Sequence, residues 1–438
     1  NAVAEVVAAQ AAGRLGVSLL VRQAALDALE VALALVGLAL GGVDAAMGRL
    51  VVQPCSWDLH THVDDMVIAE VFVDVRRRDL ARRDGADDGG RTRDAVAAGK
   101  YAVHVVDLAA GLGNKGAALD GNLALLEAVC FHALSDGAGA LTFFRTLLAE
   151  YLRQTGISVP AGNGVLDLEE PPRKEELEDA YARYAGRHAL GLRRMPKAYA
   201  NTGTPEPFYT FHVTMGFVPL GKLREAARSY GASITEYLSA ALIHVLLEKQ
   251  RREHPHKERP VALAVPINLR SWFPSETVRN FITTVRPSID PALGDYTFPE
   301  IVSQVRHYMK LHVHRQELQA AFTGNVRFTE NFALRLIPVV LKNPVMALNY
   351  RLFGVCPYSC TYTNPGAFTV PPEMAPHIQG MEVVLGQATV PRCHCASISY
   401  GDIMEITFAG TQAETDTERD FFRFLVREGI PVRIESNR

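Results

Sequence analysis

The sequence is poor in cysteine. Its 438 residues include six, at positions 55, 130, 356, 360, 393 and 395. That is too few for a disulfide framework in a chain of this length. Cys130 lies inside an apolar run, as a reduced core cysteine does, so a reducing, cytoplasmic setting is expected. Zinc is not expected either. Cys356/Cys360 and Cys393/Cys395 depart from the spacing of zinc knuckles and fall in or beside expected strands, and they are read as structural thiols. Basic charge is not in excess: 45 Lys and Arg stand against 48 Asp and Glu, a formal net charge of −3. Nothing is there to neutralise a run of phosphates, which argues against a nucleic-acid partner. Long apolar runs are missing too. The longest, Val31–Val43, is shorter than the roughly 20 residues a spanning helix needs, so no membrane span is expected. No basic n-region opens the chain, which argues against a signal peptide. With no initiator Met, Asn1 is read as not the true start.

What remains is an ordinary globular composition, 48% hydrophobic and 21% charged. The length exceeds one common core, so two lobes are expected. Gly156–Pro172 is rich in Gly and Pro, Arg173–Arg194 is densely charged and helix-capable, and Pro196–Pro207 is loop-like. The division expected is an N-terminal lobe over 1–165, a linker over 166–207 and a C-terminal lobe over 208–438. Strand and helix patterns are interleaved without strict β-α alternation. That favours two α/β sandwich lobes with mixed sheets over a doubly wound sheet. Strands are expected at 208–218, 261–267, 357–370, 381–385, 395–400, 404–408 and 431–434. Helices are expected at 18–42, at 298–313 and in part of 329–348. Ser233-Ile234-Thr235-Glu236 and Thr415-Asp416-Thr417-Glu418 read as capping boxes opening two more helices, the second stopped by Gly429.

The stretch with the most chemistry is Cys130-Phe131-His132-Ala133-Leu134-Ser135-Asp136-Gly137. Leu125–Phe131 is strand-like. After the motif, Phe144, Leu147, Leu148, Tyr151 and Leu152 recur as one face of an amphipathic helix. His132 therefore stands at a strand end, just before a turn into a helix. An imidazole there, with an ordinary pKa near 6.5, can take a proton from an alcohol, amine or thiol at neutral pH. Two other patterns compete. Asp58-Leu59-His60-Thr61-His62, with Asp64 and Asp65, puts two imidazoles on one face of a strand, as in metal-dependent hydrolases. Gly111-Leu112-Gly113-Asn114-Lys115-Gly116 has the glycines of a dinucleotide loop but reads more simply as a hairpin turn.

Taken in order, His132-x-x-x-Asp136-Gly137, Val265-Pro266-Ile267-Asn268-Leu269-Arg270, Arg279-Asn280-Phe281 and Thr363-Asn364-Pro365-Gly366 resemble the H-x-x-x-D-G acyltransferases. That superfamily contains chloramphenicol acetyltransferase and peptide-synthetase condensation domains, and the nearest look is to its alcohol O-acetyltransferase-like branch. The resemblance spans 130–438; residues 1–125 lie outside it. It implies two similar lobes in a V with a tunnel between them and His132 at its middle, acting as general base. Asp136 would be structural and ion-paired with Arg270. Gly137 N–H and the stretch Thr361, Thr363 and Asn364 would serve the oxyanion or line the tunnel, and Asn280 would be a structural hydrogen-bonder near the lobe interface. For Thr363 and Asn364, plain turn formation is the competing reading. No tightly bound cofactor is implied: acyl-CoA or an acyl-phosphopantetheine thioester, the latter on an acyl carrier protein, would be the donor. The acceptor would be a small alcohol or amine. A non-catalytic, condensation-like binding protein is the alternative, and a metal hydrolase using His60 and His62 is a further one.

Overall fold

A computed structural model describes residues 66–74, 93–96, 101–107, 123–131, 135–330 and 358–437, except 155, 191–194, 202, 207–209, 257 and 387–392. In chain order its elements begin with strands β1 (Met66–Asp74), β2 (Arg93–Val96), β3 (Tyr101–Asp107) and β4 (Leu123–Phe131). Helix α1 (Gly137–Gln154) and the short helices α2 (Lys174–Leu177) and α3 (Ala180–Tyr184) follow. Next come β5 (His212–Pro219), α4 (Leu220–Ser229), α5 (Ile234–Glu253) and β6 (Val261–Asn268). The chain continues through β7 (Ile282–Val285), β8 (Ser288–Ile289), α6 (Phe298–His312) and α7 (Arg315–Glu330). It ends with β9 (Cys360–Ala367), β10 (Ile378–Leu385), β11 (Cys393–Tyr400), β12 (Ile403–Gly410), α8 (Asp416–Arg427) and β13 (Arg433–Ser436).

Two sheets form. The first has the order β10-β1-β4-β3-β2; the second runs β13-β5-β12-β11-β9-β6-β7, with β8 also pairing β6. The first is antiparallel throughout. The second is mixed, because β9 is parallel to both β11 and β6. That mixture is what the irregular alternation of strands and helices anticipates. β3 and β4 are antiparallel neighbours. A dinucleotide-binding βαβ unit would make them parallel, so the hairpin reading is the one compatible with this pairing. Residues 111–116 themselves, like the helix expected over 18–42, lie outside the described residues.

The division into sheets does not follow the chain. β10, from the half read as the C-terminal lobe, pairs with β1 along Val67–Leu385 through Val73–Ile378. One strand of the half expected as the C-terminal lobe thus returns to complete the sheet formed by β1–β4. Alternation within 378–385 carries no address for its partner strand, so only the tertiary structure decides where it goes.

The larger core lies between the second sheet and helices α4, α5, α6 and α8, with Leu242, Leu246, Val261, Leu263, Ile406 and Phe421 among its enclosed side chains. A second core joins α1, through Phe144, Leu148 and Leu152, to Met381 and Val383 of β10 and to Ala396 and Ile398 of β11. β11 is thus covered on both faces. Cys393 and Cys395 face the larger core and Ala396 and Ile398 the smaller. That is why the strand is buried almost continuously rather than at alternate residues. Val383 N–H donates to Glu405 Oε2 of β12 at 3.4 Å, a tie between the two sheets.

Local signals hold at most helix starts. Ser233 Oγ accepts from Glu236 N–H while Glu236 Oε2 accepts from Ser233 N–H, the reciprocal capping box. The second box does not form. Thr415 makes no side-chain cap at α8. Asp416 pairs instead with the enclosed Lys249 at 2.8 Å, joining α8 to α5. Gly429 sits just past α8 at φ +79°, which lets the chain turn where a Cβ would strain it. Among the described residues of the linker, helix is confined to α2 and α3. No single helix among the described residues is long and apolar enough to cross a membrane.

Candidate active site

The motif is held from its C-terminal side. β4 ends at Phe131, and α1 begins at Gly137. His132, with Ala133 and Leu134, lies outside the described residues. Asp136 is almost wholly enclosed. Its Oδ1 accepts from the N–H groups of Ala138 and Gly139, both at 3.0 Å, and so caps α1. Its Oδ2 accepts from Arg270 Nη1 at 2.7 Å and from Phe281 N–H at 2.7 Å. Four donors therefore surround one carboxylate, two from its own turn and two from a stretch far along the chain. Such a group is committed to holding structure; every strong acceptor direction is in use.

Arg270 follows β6 on a single 3₁₀ turn, whose start is capped by Asn268 Oδ1. Besides Asp136, its guanidinium donates to the carbonyls of Thr277 at 3.1 and 2.9 Å and of Arg279 at 2.7 Å, and to Asn268 Oδ1 at 3.3 Å. The planar fork of an arginine can serve this many acceptors at once, which the single ammonium of a lysine cannot. The loop 275–281 that receives these bonds is tied in turn to the linker. Val278 N–H donates to Glu176 carbonyl at 2.9 Å, Thr277 Oγ1 to Glu178 carbonyl at 2.8 Å, and Ser275 Oγ to Glu178 Oε1 at 2.6 Å. One connected set of bonds thus runs from the motif turn through loop 275–281 to the linker. A cleft of about 210 Å³ opens beside it, lined by Thr142, Leu166, Arg173 and Glu276 among others.

The remaining sequence-derived residues divide. Gly137 is half-buried at the start of α1, and open space lies where a Cβ would project from it. Asn280 is half-buried within the loop, next to Phe281. On β9, Cys360 and Tyr362 face the larger core. Alternation therefore puts Thr361 and Thr363 on the opposite face, beside His394 and Ala396 of β11. Asn364 donates to Thr235 Oγ1 at 3.1 Å and accepts from Gly366 N–H at 2.9 Å, across an irregularity in the β9–β11 register. Gly366 has φ +94° there, so Asn364-Pro365-Gly366 makes a bend within the strand. Among the described residues no hydrogen bond joins Thr361, Thr363 or Asn364 to Asp136 or Arg270.

The alternative sites fare differently. His60 and His62 lie outside the described residues. Cys360, Cys393 and Cys395 are free and buried. A hydrogen bond with the Cys360 thiol, then burial, pushes the Cys393 thiol well up, and burial pushes that of Cys395 well up. Cys55 and Cys356 lie outside the described residues. Sequence reasoning missed Ser135, Val278, Glu176 and the main-chain N–H of Phe281. Three of these act through backbone atoms, which every residue type carries, so no residue letter signals them.

No family model matches the chain, and no curated protein matches it. Solved structures do. The polyketide synthase associated protein 5 of Mycobacterium tuberculosis is similar at a TM-score of 0.50 and 14% identity, over 86% of this chain and 96% of that one. The trichothecene 15-O-acetyltransferase of Fusarium sporotrichioides is similar at a TM-score of 0.50 and 11% identity, over 87% of this chain and 94% of that one. What is shared at these identities is the fold, a mixed α/β architecture.

Proposed function

We propose that the protein is an acyltransferase of the H-x-x-x-D-G type, moving an acyl group from a thioester to an alcohol or amine. The observation that carries this reading is the commitment of Asp136. Its carboxylate is spent on Arg270, Phe281 N–H and the first turn of α1. It stands four residues after His132, in a chain whose fold is shared with an O-acetyltransferase. A motif whose aspartate holds the turn leaves the histidine as its proton-transferring group.

In this reading His132 takes the proton from the acceptor O–H or N–H as the acceptor attacks the thioester carbonyl. The developing oxyanion is met by the Gly137 N–H or by a side chain of Thr361, Thr363 or Asn364. Collapse expels the thiolate, which is reprotonated from the imidazolium. Holding both substrates together contributes on the order of 7–11 kcal/mol in favourable intramolecular cases, and a well-placed base about 10²–10⁴-fold. The donor is a CoA thioester or an acyl-phosphopantetheine on a carrier protein. The second is favoured by likeness to a protein described as associated with a polyketide synthase.

The test is thiol release from a panel of acyl-CoAs, short to long, with pooled alcohols and amines, comparing wild type with His132→Ala. Acceptor-dependent release that falls by about 10²-fold in the variant is the expected result. Release with carrier-bound donors only would select that donor class. A wild type inert with both donor classes, or a variant with full turnover, would overturn the reading.

A further inference from the structure

The motif turn carries a second tie besides the Asp136–Arg270 pair. Ser135 Oγ donates to the Val278 carbonyl at 2.6 Å, and Ser135 is almost fully buried. Four residues on, α1 is pressed against the same peptide. A Cβ built on Gly139 would lie 2.1 Å from Ser135 Oγ and 2.1 Å from the Val278 oxygen, with the Val278 carbonyl carbon at 2.9 Å. Real Cβ atoms do not approach backbone this closely, so the first turn of α1 seats on loop 275–281 only because residue 139 has no side chain. The Val278 peptide is itself fixed from its other side, where its N–H donates to the Glu176 carbonyl at 2.9 Å.

These contacts make a three-layer stack: linker backbone, Val278 peptide, and the Ser135–Gly139 face of the turn. We infer that Ser135 is a positioning residue of the motif, which with the bare backbone of Gly139 sets how far the motif turn stands from loop 275–281. The inference rests on the acyl-transfer reading for its catalytic consequence and on the geometry alone for its structural one. Asp136 fixes the turn through the four bonds of its carboxylate. The Ser135 bond is made one residue nearer His132 in sequence and to a different atom of the loop, the Val278 carbonyl, so it adds a second tie between turn and loop. Its hydroxyl is not a proton relay, since its hydrogen is given to a backbone carbonyl that cannot pass it on.

The experiment compares wild type, Ser135→Ala, Ser135→Thr and Gly139→Ala by two readouts. One is amide hydrogen exchange of the peptides covering 131–139 and 275–281. The other is the split of turnover into kcat and KM, with donor and acceptor varied separately. Ser135→Ala is expected to speed exchange in those two segments alone, and to lower kcat by about tenfold or more with both KM values nearly unchanged, because a small displacement of a catalytic group costs rate rather than binding. Ser135→Thr, which keeps the hydroxyl, is expected to restore kcat. Gly139→Ala must part α1 from the Val278 peptide and is expected to give the Ser135→Ala pattern in stronger form. Unchanged exchange in 131–139 for Ser135→Ala overturns the inference, and so does a loss of kcat matched by a rise in KM. The exchange arm needs no substrate, so a protein inert with every thioester would sink the transfer reading while leaving the tie decided.

Discussion

Replacing Asp136 by alanine is the sharpest perturbation the structure offers. The carboxylate side chain is 0% exposed and that of Arg270 is 15% exposed. Removing it leaves a largely enclosed guanidinium without its counter-charge, and leaves Phe281 N–H and the first turn of α1 without an acceptor. Breaking a buried pair from one side costs about 3–5 kcal/mol. The exposed edge of Arg270 and its three other acceptors place this case near the lower end. Loss of the cap adds about 1 kcal/mol. A destabilisation of about 4 kcal/mol lowers Tm by about 4 °C when a chain of this size melts as one unit. Urea titration and differential scanning calorimetry would measure it. Asp136→Asn, which keeps an oxygen for the Ala138 and Gly139 N–H groups but no charge, should fall between wild type and Asp136→Ala. The decisive variant combines Asp136→Ala with Arg270→Met. Because the two residues act as a pair, the double variant should be more stable than the sum of the singles by about 0.5–3 kcal/mol. A Tm for Asp136→Ala within about 1 °C of wild type, or strict additivity in the double variant, would refute the account of the pair as the fastening between turn and loop.

Two further outcomes follow from the packing. His244 is wedged between Phe298 and Phe424, and burial lowers its pKa, with Glu248, Arg251 and Glu428 as the charged groups near it. A depressed histidine favours the folded state fully above its unfolded pKa of about 6.5, and that contribution drains away as pH falls below it. Urea midpoints taken from pH 8 to pH 5 should drop more steeply for wild type than for His244→Phe, and parallel curves would exclude His244 as the cause. Cys393 and Cys395 are buried with raised thiol pKa values. In native protein at pH 8 their peptides should stay unalkylated by iodoacetamide, while urea exposes them. Rapid native labelling, read by peptide mass mapping, would contradict the core placement of β11.

Much of this molecule is readable from local pattern, and the reasons are specific. The run from Ser233 has a reciprocal cap and a helical apolar face, and it becomes α5 as expected. Val261–Ile267 is a short apolar run ended by polar residues, and it becomes β6. The expected helix over 298–313 is α6, the strand over 404–408 lies within β12, and that over 395–400 lies within β11. Failures occurred where one local signal had a tertiary competitor. Thr415-Asp416-Thr417-Glu418 has the letters of a capping box, and α8 starts there, but Thr415 makes no side-chain cap and the start of the helix is tied to α5 by the Asp416–Lys249 pair. Asn364-Pro365-Gly366 has the letters of a turn, and it does bend the chain, but inside β9, at a break in its pairing with β11.

By itself, the sequence determined the elements and the chemistry available to them: a strand, a histidine, an aspartate four residues later and an amphipathic helix, with a cysteine-poor, nearly neutral composition around them. Those follow from properties of neighbouring residues, namely periodicity, capping and side-chain type. Which strand completes which sheet was decided only in three dimensions, since β10 reaches β1 across more than 300 residues of chain. So was the hold on the motif turn. Its partners are largely carbonyl and amide groups of residues 277–281 and the linker, groups that nearly every residue of any sequence carries. Only folding selects which of them stand within hydrogen-bonding distance of Ser135, Asp136 and Arg270.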